Sequence, residues 1–304
     1  MNIQANAAGF FKLEVRKVNE DVPHTVIDWF PNLITNQGLD RLAVSSTVLY
    51  CSVGSGNSTP IVGNTGLDLK VGSSASKSDA IASGAISVAP YYGWSRYSFA
   101  FPVNTVIGNL SEVGIGWGSG ANNDSLFSRS LIKDGNGNPI TLSIVADDLL
   151  TITYELRLYP ILTDSTGTIN TGLGTHTYTL RAANVTKSPW YATFGNYGVL
   201  GYSSTAYVYP TGIGDIFNAP SGSWSGYVYT REKATPYVAG SHYRDMVLSF
   251  GIDSGNNAAG IRSFAWLSDN GLGAFQVQFE PAIPKTNLQR FDITIRVSWG
   301  RYTP

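Results

Sequence analysis

The chain has 304 residues, enough for two domains of ordinary size, and 43% of them are hydrophobic while only 13% are charged, against about a quarter charged in average soluble proteins. The formal net charge is −1 and no Lys or Arg residues form a run, which excludes the basic field that holds a nucleic-acid backbone. A single cysteine excludes an internal disulfide framework, and no stretch approaches the roughly twenty apolar residues of a bilayer span.

The opening MNIQANAAGFFKLEVRK lacks a basic segment followed by an apolar one, so it does not read as a signal peptide, and folding in a cytoplasm is expected. Residues 9–18 alternate as a first strand, with Phe11, Leu13 and Val15 on one face. Residues 26–30 form a second strand after a turn at 19–23. Thr35 or Asn36 caps one short helix near residues 36–43, with Leu39 and Leu42 on a shared face. Cys51 lies in an apolar run and reads as a buried thiol. The GSGNSTP loop that follows leads into Thr59-Pro60, where a phosphate cradle would need a helix, so it reads as structural. The small-residue stretch 72–87 reads as a mobile or partner-ordered loop.

Strands resume at residues 94–101, 110–117 and 126–133. Asp134-Gly-Asn-Gly-Asn-Pro139 is a hairpin signal, with 140–145 expected to pair back across it and 149–158 to end the unit. Residues 160–177 are polar and Gly-rich, which places a boundary there. Further strands are expected at 178–180, 225–230, 244–251, 261–267, 273–279 and 291–299. The ends of the two halves correspond: LLTITYELRLYP closes on Arg157, Tyr159 and Pro160, and FDITIRVSWGRYTP on Arg301, Tyr302 and Pro304. The expected fold is therefore all-β, with two jelly-roll-like β-sandwich domains, 1–162 and 178–304, joined by a linker at 163–177. A distant tandem duplication would put the two closing strands at equivalent positions.

The order Asn32-Leu-Ile-Thr-Asn-Gln-Gly-Leu-Asp40, then Val53-Gly-Ser-Gly56, Thr59-Pro60 and Thr65-Gly-Leu67, resembles the opening of tailed-bacteriophage virion proteins of the tail-fibre and baseplate-associated kind. Leu126-Phe-Ser-Arg-Ser-Leu-Ile-Lys133, Gly137-Asn-Pro139 and residues 148–160 are similar to that family's strand–hairpin–strand close. Residues 281–285 before 293–299 are similar to its C-terminal end. The likeness covers residues 26–70 and 110–160, less of 273–304, and little of 161–250. It implies a virion component assembled in the host cytoplasm and carries over no catalytic residue.

His24, His176 and His242 lie far apart without metal-ligand spacing. Asp147 and Asp148 adjoin at a strand entrance and would point to opposite faces, as turn residues and not a hydrolytic pair. The turn at 134–139 lacks the bidentate Glu of a calcium loop. Arg129 and Arg157 read as residues of exposed strand faces. No cofactor and no enzyme activity are expected. The recognition candidates are the aromatics of 190–229: Trp190, Tyr191, Tyr197, Tyr202, Tyr207, Tyr209, Trp224, Tyr227 and Tyr229. They fit subunit contacts, a glycan platform, or half-buried strand aromatics. The preferred expectation is a structural protein of the phage tail, baseplate or fibre apparatus. It would homo-oligomerise and dock on other virion proteins. A capsid decoration protein and a glycan-binding host adhesin are the alternatives.

Overall fold

The computed structural model describes residues 1–44, 48–78, 82–118, 125–187, 190, 203–229, 234–269 and 273–303. Strict alternation makes β1 (Asn2–Lys17) a strand with one buried face, formed by Ile3, Ala5, Ala7, Phe11, Leu13 and Val15. It begins at Asn2 and not at residue 9, because Ala5 and Ala7 are too small to mark a periodicity in the sequence. In chain order there follow β2 (Thr25–Ile34), α1 (Asn36–Val44), β3 (Tyr50–Gly54), β4 (Lys70–Ser74), β5 (Ala82–Ala85), β6 (Gly93–Phe101), β7 (Gly108–Leu110), β8 (Glu112–Gly116), β9 (Leu126–Leu131), β10 (Leu142–Ile144) and β11 (Asp148–Pro160). The remaining strands are β12 (Ser165–Thr171), β13 (Gly174–Ala183), β14 (Ser203–Tyr209), β15 (Gly226–Tyr229), β16 (Tyr243–Phe250), β17 (Asn257–Asp269), β18 (Ala274–Lys285) and β19 (Phe291–Arg301). The fold is all-β, as expected, and α1 is the one α-helix among the described residues. No described helix is long and apolar enough to cross a membrane.

The first sheet runs β4-β3-β8-β9-β2-β1-β11-β6-β5. β2 turns a corner within it, pairing with β1 through Phe30 and Ile27 and with β9 through Leu33 and Ile34. The ends of the path also meet. After β4, the chain pairs with β6 through Ala100 N–H to Ser76 O (3.0 Å) and Ser78 N–H to Ser98 O (2.9 Å). Residues 70–78 therefore close the strands into a barrel-like sandwich, which pairs the outer edge of β6 and leaves β5 as a short flank. The 72–87 stretch is thus partly strand, correcting the loop expectation. Residues 79–81 lie outside the described set.

The second sheet runs β12-β13-β18-β17-β14-β15. Its inner face carries Leu180, Val208, Phe264, Trp266, Phe275, Val277 and Phe279, and these belong to one continuous apolar cluster with the first sheet's interior. Burying each such side chain contributes about 1.5–3 kcal/mol. The expected linker at 163–177 is a hairpin: β12 pairs with β13 from Ser165 opposite Leu180 to Thr171 opposite Gly174. Its strands escaped notice because β12 has only Ile169 as an apolar residue. Nor does 140–145 simply pair back on β9. Ile140 N–H bonds Ile132 O, but β10 then pairs with β7.

The boundary between halves is also crossed. β1 has β11 along one edge, antiparallel, and on its other edge β19, parallel, from Asn2 opposite Arg296 to Ala7 opposite Arg301. β16 extends the sheet beyond β19. The two matching strand ends therefore flank one strand and do not close separate sandwiches, and Tyr159 and Tyr302 stack with centroids 3.6 Å apart and planes 8° from parallel.

The C-terminal strand also secures the helix. Thr35 is its cap, accepting from Gly38 N–H at 3.0 Å, and Leu39 and Leu42 are buried as expected. Trp299 Nε1 donates to Leu39 O (2.8 Å) and Arg301 reaches Ile34 O and Asn36 Oδ1. Arg244 donates to Ala43 O at the helix C-terminus (3.2 Å), and Tyr237 OH donates to Asp40.

Candidate functional site

Trp190, a surface candidate from sequence, is core: it is 0% exposed, packs on Phe275 at 5.3 Å and donates from Nε1 to Ala183 O at 2.8 Å. Its indole lies where a Cβ at Gly273 would stand, 2.5 Å from it, so the site takes a large ring only because position 273 has no side chain. Tyr209 is buried as well. Tyr191, Tyr197 and Tyr202 lie outside the described residues, as does the Tyr229 side chain.

The other three candidates come together on the outer face of the second sheet. Register places Tyr207 opposite Tyr227, and the 210–225 connection returns Trp224 over both. Tyr207–Trp224 and Trp224–Tyr227 centroids are each 5.6 Å apart, the second pair edge-to-face. Trp224 is 50% exposed and Tyr227 43%, so the group offers ring faces to solvent. The connection is held firmly beneath: Gln276, fully buried, donates to Asp215 O (2.7 Å) and accepts from Gly214 N–H (2.8 Å), while Ser263 Oγ donates to Thr211 O (2.7 Å). Rigid support of this kind suits a recognition surface.

A second aromatic surface was not foreseen. On the outer face of β1, β11 and β6, Arg96 stacks between Trp29 (4.9 Å) and Trp94 (4.2 Å), and Arg157 between Phe10 (3.7 Å) and Tyr92 (4.6 Å). Both guanidiniums pair with Glu155, which they cover to 1% exposure. Arg157 is therefore half-buried between rings and not on an open strand face. The available signal was the outward set Trp94, Arg96, Glu155, Arg157 and Tyr159 at alternate positions of two strands. Their register across the sheet is not written in either strand alone.

The loop at 54–69 and the strands β8 and β9 converge on a third feature. Arg129 and Glu112 are both 0% exposed and pair at 2.9 Å, with Asp68 2.8 Å from Arg129. This corrects the expectation of an exposed Arg129. Glu112 also accepts from the N–H groups of Gly56 (3.1 Å), Asp68 (3.1 Å) and Leu69 (2.8 Å), and Arg129 donates to Ser58 O and Asn64 Oδ1. The 54–69 loop is thereby folded over β8 and β9, whose residues are buried on both faces. Hydrogen bonds from Ser58 and the Arg129 guanidinium hold the Asp68 carboxyl below its usual range.

The remaining candidates are placed in local hydrogen-bond and charge contacts. Asp147 and Asp148, expected to point apart, both reach Lys17 Nζ (2.9 and 2.8 Å). Burial alone would raise the Asp148 carboxyl, but Lys17, the Val145 N–H and His24 outweigh it and hold it down to about 2, from 3.8. A depressed carboxylate stabilises the fold above its unfolded pKa and loses that contribution as the pH falls through its folded one. Asp148→Asn should accordingly flatten the decline of stability between about pH 4 and pH 2, checked by urea melts across that range. Burial pushes the Cys51 thiol up, and His176 bonds Pro281 O. Asp134 accepts from the N–H groups of Asn136 and Asn138 within its own turn. Among the described residues no three His, Cys, Asp or Glu side chains are grouped to hold a metal. No protein-family model, curated protein or solved structure matches the chain.

Proposed function

We propose that the chain is a structural component of a tailed-bacteriophage particle, in the tail or the baseplate and fibre apparatus, working through contacts with neighbouring subunits. The observation that carries this reading is the convergence of the motifs that resemble the family. Val53–Gly56, Thr59-Pro60 and Thr65–Leu67 belong to one loop, which is distant in sequence from the strand bearing Arg129. Gly56, Ser58, Asn64 and Asp68 of that loop meet Glu112 and Arg129 in one buried charge network, which ties the loop to the strand and supports reading both as parts of one fold. The sparse charge and solvent-facing aromatics agree with a surface that neighbours cover. An antibody against the chain should label one end of tailed particles in negative stain, and its peptides should appear in digests of purified particles. Label spread over the head would favour capsid decoration, and its absence from particles would overturn the reading.

The Tyr207–Trp224–Tyr227 group supports host-glycan adhesion as a second reading, since exposed rings on a rigid base stack on sugar rings. Glycan-array binding lost on Trp224→Ala would establish it, and an array without signal would remove it.

A further inference from the structure

Among the described residues β12 ends the six-stranded path and pairs with β13 alone, so its outer edge presents backbone groups that no described strand meets. The ends of the first sheet, and β15, are closed, short or partly covered among the described residues. Residues 76–78 close the first sheet on β6, and Thr235 N–H pairs with Asp245 O along the outside of β16. At β15, Ser254 Oγ donates to the Tyr227 carbonyl at 3.0 Å. β5 is four residues long. Natural proteins protect an open edge with charge, proline, a bulge or brevity. β12 has none of these: its sequence is STGTINT and its register with β13 is unbroken over seven residues.

The strand is also held in place before any partner arrives. Asp164 pairs with Arg181 at its start, Ile169 packs on the core cluster, and Thr175 Oγ1 donates to Asn170 Oδ1 at 2.7 Å.

We infer that β12 is a docking edge for β12 of a second copy of this chain, the two strands running antiparallel about a two-fold axis at Thr168. This rests on the subunit-contact reading above and names its partner and register. The strand is self-complementary in that arrangement. Thr168 meets Thr168, Thr166 meets Asn170 and Ser165 meets Thr171, so hydroxyl and amide groups face one another with no like charges opposed. On the inner face Ile169 meets Gly167, whose missing side chain leaves the Tyr178 ring, 2.8 Å from where a Cβ would be, as a seat for it. The contact unites two six-stranded sheets across an isologous interface.

Disulfide trapping tests the register. Facing Cα atoms in an antiparallel pair lie about 4.5–5.5 Å apart, within disulfide reach, and the native Cys51 is buried. Under mild oxidation Thr168→Cys should give a covalent dimer on non-reducing gels. Thr166→Cys should not, because its mates lie roughly 13 Å apart at a strand rise of about 3.3 Å per residue. In sedimentation equilibrium the unmodified chain should show a monomer–dimer equilibrium that Thr168→Lys abolishes. Mixing Thr168→Lys with Thr168→Glu should restore the dimer, which also shows that both variants fold. A chain that stays monomeric at its highest soluble concentration overturns the inference, as does a dimer indifferent to Thr168→Lys. Binding at this edge by a different virion protein, without self-association, also overturns it. Particle labelling is read separately, so a monomeric chain found on particles leaves the assignment to the virion standing.

Discussion

Arg129→Met lowers the unfolding free energy by about 3–5 kcal/mol, a large part of the 5–15 kcal/mol typical of a folded protein. The reason is what it leaves behind. Glu112 is wholly buried and its charge is compensated by the Arg129 guanidinium at 2.9 Å. Without that partner the carboxylate stays out of water, held by the N–H groups of Gly56, Asp68 and Leu69. The loop that Arg129 ties through Ser58 and Asn64 loses its anchor as well. Adding Glu112→Gln should recover part of the loss, because the amide oxygen still accepts from the backbone while the stranded charge is gone. Guanidinium unfolding of the two variants measures both effects. A cost below about 1 kcal/mol for Arg129→Met would equate the pair with a surface salt bridge and sink the interpretation.

Trp299→Ala also costs about 3–5 kcal/mol, and its effect is registered far away in sequence. The indole is 3% exposed, lies 5.8 Å from the Tyr237 ring and donates to Leu39 O. Its removal opens a cavity beneath α1 and takes from that carbonyl the indole donor it has besides its helical partner. Amide hydrogen exchange at residues 36–44 should accelerate together with that of β19, and Trp299→Phe should do so less. Unchanged exchange in α1 would mean that helix and C-terminal strand are not coupled.

What could be read from sequence follows from what each residue faces. β6, β11 and β19 were legible because a solvent-facing residue alternates with a core-facing one along each. α1 was legible because Thr35, Leu39 and Leu42 carry cap and face together. β12 was not, since an edge strand has little to bury and so no apolar period. The hidden Glu112–Arg129 pair had a local signal, a lone charge inside each of the apolar runs LSEVGI and LFSRSLI. Only the pairing of β8 with β9 tells that these two charges answer one another. The aromatic–arginine face fails for the same reason, being assembled from β2, β1, β11 and β6. Of the aromatic candidates, composition could not separate Trp190, which fills space left by Gly273, from Trp224, which stands half-exposed against Tyr207 and Tyr227.

The pairing of Asn2 with Arg296 has a consequence in time. A ribosome adding about 5–20 residues per second delivers β19 roughly fifteen seconds to a minute after β1. Through that interval the Asn2–Ala7 part of one edge of β1 lacks its partner strand, even after β2 and β11 have been synthesised. The nascent chain must therefore carry an unfilled slot of defined register, shaped for a parallel strand. A holdase or a neighbouring nascent chain could enter that slot before the chain's own last strand arrives.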